Sequence, residues 1–284
     1  MRYIIVGDTH IRHNPPVFRN DGFYASLRDK LGQIRRLSEE HSASVIVLGD
    51  FFDRAVQGEL ERIVADNIDS IRGWHTLIGN HDTRSSDGSL YGTSLGLLVS
   101  LGIISIMPDD GLFDVFHYHD RNDYGKRPFP RRYALVHDYI LPEGVKAMYE
   151  HRKCAENGYS YAFIGHYHLP FDISIGHTRF VNPGSLMRLT ADEIRLDRTP
   201  EVLLLDTDTD TLTHIPLRAE RLSDIVSTGY EERKEREFES RFVDLLIDTN
   251  ASNGNGDIVS LLRKNDVSED IVSYIAEKVR NLTE

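Results

Sequence analysis

Five short blocks in this chain concentrate aspartate, asparagine and histidine, and four of them directly follow an apolar run. They are Gly7-Asp8-Thr9-His10, Gly49-Asp50-Phe51-Phe52-Asp53-Arg54, Gly79-Asn80-His81-Asp82, Val136-His137-Asp138 and Gly165-His166-Tyr167-His168. Apolar runs of this length read as buried strands, and open α/β sheets place their sites at the carboxyl ends of strands. The pattern therefore demands a fold in which strand ends far apart in sequence meet in space.

The surrounding sequence agrees. Tyr3–Val6, Val45–Leu48, Leu77–Ile78, Ala134–Val136 and Tyr161–Ile164 read as strands. Gly22–His41 and Glu59–Ile71 have helical spacing, and residues 142–156 open with a proline suited to a first helical turn. Alternation of this kind predicts an α/β domain with sheets covered by helices. From Asp172 the pattern turns to strands, at Asp172–Ile175, Arg179–Val181, Glu201–Asp206 and Thr211–Ile215. Beyond about residue 218, Phe238, Phe242, Leu245 and Leu246 fall on one face of a charged helix, and Ser268 can cap a last one. The expected organisation is a domain over 1–217 and a small helical unit over 218–284.

Composition narrows the class. No stretch approaches the ~18 apolar residues of a membrane span. Cys154 is the lone cysteine, so no internal disulfide forms, which suits a reducing compartment. With Met1–Val6 lacking the features of a signal peptide, the expectation is a soluble, cytoplasmic protein. The formal charge of −12 argues against broad adhesion to nucleic acid, while leaving room for a local basic strip.

Asp8 and His10 stand two apart, as do His166 and His168, so on an extended segment each pair points to one side. Asp50 and Asn80 add oxygens and His137 another imidazole. These seven donors exceed what one tetrahedral ion requires and suit two ions sharing a carboxylate. Oxygen and imidazole without thiolate favour manganese, with iron or zinc as alternatives. Each block alone has a plainer reading, as a capped loop, a turn or a strand-end histidine. All five in order do not. His117-Tyr118-His119 is also H-x-H but lacks the preceding glycine, and is read as surface or packing.

In this order the blocks resemble the signature of calcineurin-like metallophosphoesterases: D-x-H, G-D-x-x-D, G-N-H-D, a lone H and G-H-x-H, spanning about residues 1 to 190. The resemblance implies a two-sheet sandwich flanked by helices. It assigns Asp8, His10, Asp50 and His168 to one ion and Asp50, Asn80, His137 and His166 to the other, with Asp50 bridging. His81 matches the non-ligand histidine beside the scissile phosphate, and Asp82 its orienting partner. Asp53 and Arg54 are expected to support the loop, and Asp138 to support a ligand from behind. The implied reaction is two-metal hydrolysis of a phosphate ester.

Asn182-Pro183-Gly184-Ser185 reads as a tight turn whose N–H groups either face a phosphate or simply close a β-turn. It resembles the P-G-S turn of the SbcD-type DNA-repair exonuclease branch, which makes Ser185 and Arg188 candidate phosphate contacts, with Arg195 and Arg198 nearby. Lys126-Arg127 and Arg131-Arg132, interleaved with Phe129 and Tyr133, form a second basic cluster, read as a solvated loop or a nucleic-acid track. That branch implies a DNA substrate, an SMC-type ATPase partner docking on the C-terminal helices, and a homodimer through a segment such as Tyr91–Leu101. A small-nucleotide phosphodiesterase or phosphatase is the alternative. A non-catalytic scaffold is a remote third.

Overall fold

The computed structural model describes residues 1–16, 19, 21–85, 87–120, 130–138, 140, 158–189 and 198–225. All belong to one compact unit, Met1–Val226. The helix expected at 142–156, the cluster Lys126-Arg127-Phe129, Arg195 and the helical unit beyond 225 lie outside the described residues. Residues 218–225 pack on the same unit as the strands: the Arg218 N–H donates to Gln33 Oε1 (2.7 Å), Lys30 pairs with Glu220 (3.1 Å), and Ile225 is buried.

The architecture is a two-sheet sandwich. In chain order the elements are β1 (Arg2–Val6), α1 (Phe23–His41), β2 (Ser44–Val47), α2 (Leu60–Ile71), β3 (Trp74–Thr76), α3 (Ser94–Ser100), β4 (Ile104–Ile106), β5 (Phe113–Phe116), β6 (Tyr133–His137), β7 (Tyr161–Gly165), β8 (Phe171–Ile175), β9 (Thr178–Asn182), β10 (Glu201–Asp206) and β11 (Thr211–Pro216). A six-stranded sheet runs β11-β10-β1-β2-β3-β4 and a five-stranded sheet runs β5-β6-β7-β9-β8. The centre of each is parallel, β1-β2-β3-β4 and β5-β6-β7-β9. Antiparallel strands lie only toward one side, at β10-β11 and β8. Parallel strands buried on both faces explain why the sequence shows continuous apolar runs rather than alternation.

Within those runs the two-residue period still sorts side chains. Ile4, Val6, Val45 and Val47 face the layer packed by Phe23, Leu27, Leu31 and Ile34 of α1. Ile5 and Ile46 turn the other way, to meet Phe113, Tyr133, Leu135 and Phe163 of the second sheet. Ala134, Val136, Ala162 and Ile164 line that sheet's far face. Among the described residues, the short elements that escaped the sequence reading include α3, β4 and β5. The strand expected at Leu77–Ile78 ends earlier, at Thr76, although both residues are buried and the Leu77 N–H still donates to Val47 O (2.9 Å). Tyr133 cannot line a nucleic-acid track. It is fully buried, its hydroxyl donating to Asp210 Oδ1 (2.7 Å), while Arg132 pairs with that carboxylate at 2.7 Å.

Leu135 sits at the middle of the inter-sheet layer with no exposure. Leu135→Ala should cost about 2–5 kcal/mol by leaving a cavity that neither sheet can close. Chemical denaturation checks this, and a loss below 1 kcal/mol (roughly the scale of a surface change) would show that the sheets do not pack as described.

Candidate metal centre

The carboxyl ends of β1, β2, β3, β6 and β7 converge from both sheets. The ladder between β1 and β2 continues into the two loops, with the His10 N–H donating to Asp50 O and the Ile11 N–H to Phe51 O, both at 2.9 Å. Neither loop is straight. His10 (φ 40°), Asp50 (φ 46°) and His166 (φ 82°) all lie in the left-handed region. Non-glycine residues there store strain of about 1–3 kcal/mol each, and persist only where surrounding bonds fix them. Here the His166 N–H donates to both Asp8 oxygens (3.0 Å each) and the His81 N–H to Asp50 Oδ1 (2.8 Å). The extended geometry expected for the D-x-H and H-x-H pairs is thus replaced by kinks, which still bring the pairs to one place.

Glycine makes that convergence possible by its size. A Cβ on Gly7 would lie 1.9 Å from Gly184 O, on Gly79 2.1 Å from Asp50 Oδ1, on Gly165 2.4 Å from Leu48 O, and on Gly49 2.2 Å from His137 Nδ1. At each of these glycines the backbone or side chain of another segment passes through the space a Cβ would take.

The donors fall into groups. Asp8, His10 and His168 offer atoms within 4.8 Å of one another, as do Asp50, His137 and His166, and also His10, Asp50 and His81. His10 Nε2 faces His168 Nε2 at 3.0 Å, the spacing of two nitrogens bound at right angles to one ion with bonds of about 2.1 Å. Asp50 Oδ2 stands 3.7 Å from His10 Nε2 and 3.5 Å from His137 Nε2, between the two groups. Asn80 Oδ1 is 3.3 Å from His137 Nε2. His137 Nδ1 lies 2.6 Å from the Leu48 carbonyl and must donate to it, which leaves Nε2 to face the site. His10 Nδ1 is buried with no hydrogen-bond partner. This donor set fits two divalent cations sharing Asp50.

Electrostatics point the same way. Burial drives the His10 imidazole down to about 3, so it is neutral with a lone pair available. Burial also raises the Asp8 carboxyl. For Asp50, burial pushes upward, yet His137 with His10 and His81 overrides it and holds the group below the usual carboxylate range. His137 answers in kind: burial pulls it down, but Asp50 and Asp8 bring it up to about 9.

Around this centre, Asp53 is held by Arg12 Nη1 at 3.0 and 3.1 Å, and exposed Arg54 lies 3.9 Å away. His81 is exposed at the mouth, and its Nδ1 donates to the Asp53 carbonyl (2.7 Å). Asp82, expected to orient His81, is fully buried and instead accepts the N–H groups of Gly79, Phe51 and Phe52 at 2.9 to 3.3 Å. It ties the second and third blocks together, and burial with the nearby Asp50 charge pushes it up to about 7. Asp138 is buried beside His137. Ser185 and Arg188 face the interior rather than the surface. Ser185 is fully buried with its hydroxyl donating to Met187 O (2.5 Å), and Arg188 turns inward to the carbonyls of Arg198 (2.8 Å) and Glu220 (3.0 Å). The turn they belong to has a packing role: the Ser185 N–H donates to His168 O (3.0 Å) and the Leu186 N–H to Asp8 O (2.8 Å), bracing the first and fifth blocks. Arg12 carried no signal beyond its nearness to the first block, and the ring of Tyr118, from the H-x-H segment read as surface or packing, lies 5.6 Å from that of His166.

Gly49→Ala should abolish cation binding, since it meets both the His137 ring and a φ of +108°, whereas Gly58→Ala faces open space and should change nothing. Metal analysis after dialysis decides. Chelation should lower the Tm of the wild-type protein and added divalent cation restore it, because binding to the folded state alone stabilises it. An unchanged Tm would mean the donors hold no ion.

Curated proteins offer no match to the chain. Among solved structures, it is similar to a novel archaeal phosphodiesterase (15% identity, 76% of this chain and 100% of the other, TM-score 0.44). It is also similar to zinc-complexed Vps29 from Entamoeba histolytica (17%, 75% and 89%, TM-score 0.34) and to a hypothetical protein from Pyrococcus horikoshii (14%, 83% and 93%, TM-score 0.39). No function is transferred from these likenesses. The family profile of the calcineurin-like phosphoesterase superfamily domain matches residues 1–210, a stretch that takes in the converging strand ends and every strand named above except β11, and the chain belongs to that superfamily.

Proposed function

We propose that this chain is a two-cation phosphodiesterase acting on nucleotide phosphodiesters. The observation that carries the reading is Asp50, buried and placed between the donor group of His10 and that of His137. Asp8, His10, Asp50 and His168 would hold one cation, and Asp50, Asn80, His137 and His166 the other. Such a pair supplies an activated water and offsets the charge of the phosphate oxygens. Manganese suits the oxygen and imidazole donors, with iron or zinc as alternatives.

The chain's own contribution to chemistry centres on His81. Its Nδ1 proton is committed to the Asp53 carbonyl, so Nε2 is the atom presented at the mouth. As imidazolium it donates there to a phosphate or leaving oxygen. Asp50 fixes the other end of the residue by accepting the His81 N–H, so one carboxylate orders both the cation pair and the acid.

A DNA nuclease of the SbcD type is the first substrate reading, supported by the N-terminal Asp8-Thr9-His10, the Pro183-Gly184-Ser185 turn with Arg188, and the sequence pattern of strands followed by helices after the catalytic blocks. A small-nucleotide diester is the second, and the inward turn of Ser185 and Arg188 favours it by removing two contacts the nuclease reading relied on. The homodimer proposed through Tyr91–Leu101 has apolar surface available, with Tyr91 93% and Leu101 61% exposed. The SMC-type ATPase partner proposed for the C-terminal region, beyond the described residues, follows the nuclease reading.

His81→Ala should keep both cations and lose roughly 10²- to 10⁴-fold in turnover. Asp50→Ala should lose the cations themselves. The assay is hydrolysis with added manganese of linear double-stranded DNA, single-stranded DNA and a small aryl phosphodiester, with metal content read in parallel. DNA degradation that disappears in His81→Ala supports the nuclease; cleavage of the small diester alone supports the second reading. Inertness of all three with both cations bound would refute a phosphodiesterase.

A further inference from the structure

The H-x-H segment without a preceding glycine, His117-Tyr118-His119, lies at the site rather than on a remote surface. Two anchors place it there. The Ile78 N–H donates to His117 Nδ1 (3.1 Å) and the Tyr118 N–H donates back to Ile78 O (3.0 Å), so the segment is zipped to the residue that precedes Gly79-Asn80-His81. His119 packs against Gly88, where a Cβ would lie 2.3 Å from its Nδ1. The flanking imidazoles stack on each other at 5.5 Å, and burial holds His117 down at about 4. Both outer residues serve as clamps, and the residue between them is aimed elsewhere.

That residue is Tyr118, half-buried, with its ring 5.6 Å from His166 and 6.1 Å from His137. His137 and His166 are themselves 5.2 Å apart and belong to one donor group with Asp50. An aromatic face therefore borders the half of the centre built on the second sheet, next to where a phosphate would be held. Rings offset at these distances stack favourably, and a nucleobase is a flat ring of the kind such a side chain receives. We propose that Tyr118 is the stacking platform for the base of a nucleotide phosphodiester, setting substrate preference without taking part in bond breaking. The proposal rests on the nucleotide phosphodiester reading given above.

Two arms of one experiment separate the ideas. In the kinetic arm, wild type, Tyr118→Phe and Tyr118→Leu are compared, with manganese, on the p-nitrophenyl ester of thymidine 5′-phosphate and on methyl p-nitrophenyl phosphate. These share a leaving group and differ in the nucleoside. Tyr118→Leu should raise KM for the nucleoside ester by about 5- to 100-fold and leave the methyl ester within about twofold, kcat unchanged on both, while Tyr118→Phe restores the wild-type KM. In the binding arm, calorimetry with the manganese-loaded protein should show thymidine 5′-monophosphate weakened by the same factor and inorganic phosphate unaffected. Equal losses on both esters, or reduced manganese content in Tyr118→Leu, would overturn the proposal and make the ring a support for His166. If wild type cleaves neither ester, the phosphodiesterase reading fails, yet the binding arm still decides whether Tyr118 discriminates base from phosphate.

Discussion

Everything at the site depends on how closely separate stretches of backbone can approach one another. Four glycines, at 7, 49, 79 and 165, each leave a gap that another segment fills, three with a carbonyl or carboxylate oxygen and the fourth with the His137 ring. With the gaps closed up, Asp8 accepts the N–H of His166 from the other sheet and Asp50 accepts the N–H of His81. The carboxylates are thus tied to backbone before any cation is considered. The cost is three non-glycine residues in left-handed conformation, all three of them proposed ligands. Strain concentrated on donor residues is a common mark of a pre-organised site.

The same constraint explains the division of labour between the sheets. The first supplies Asp8, His10, Asp50 and Asn80, and the second supplies His137, His166 and His168. The layer between them, with Ile5, Ile46, Leu135 and Phe163, holds the two sets at fixed spacing. A rigid apolar interior is what allows seven side chains from five strand ends to keep bonding distances without mutual contact along the chain. Asp82 and the Pro183–Ser185 turn add polar ties from behind, the former between the second and third blocks, the latter between the first and fifth.

Much of this was legible in the sequence. Long apolar runs marked β1, β2, β6 and β7, α1 followed from the spacing of Phe23, Leu27, Leu31 and Ile34, and the blocks behind the runs marked the donors. What stayed hidden had physical reasons. The strands β4 and β5 are three and four residues long, too short for a period to show. The kinks at His10 and His166 are imposed by bonds to residues some 40 and 158 positions away, which no local pattern reports. Ser185 and Arg188 were candidate phosphate contacts because their turn resembles the P-G-S turn of the SbcD-type branch. Burial with carbonyl partners is a property of the folded neighbourhood. Tyr118 was passed over because its flanking histidines resembled failed ligands, when their role is to hold it.

The claim that organises this account is that one buried carboxylate sits between two cations. Crystals grown with manganese, measured at a wavelength where the metal scatters anomalously, test it directly. Two peaks, both within bonding reach of Asp50, are the result expected. A single peak, or two peaks of which one lies away from Asp50, would contradict the shared-carboxylate centre and the chemistry built on it.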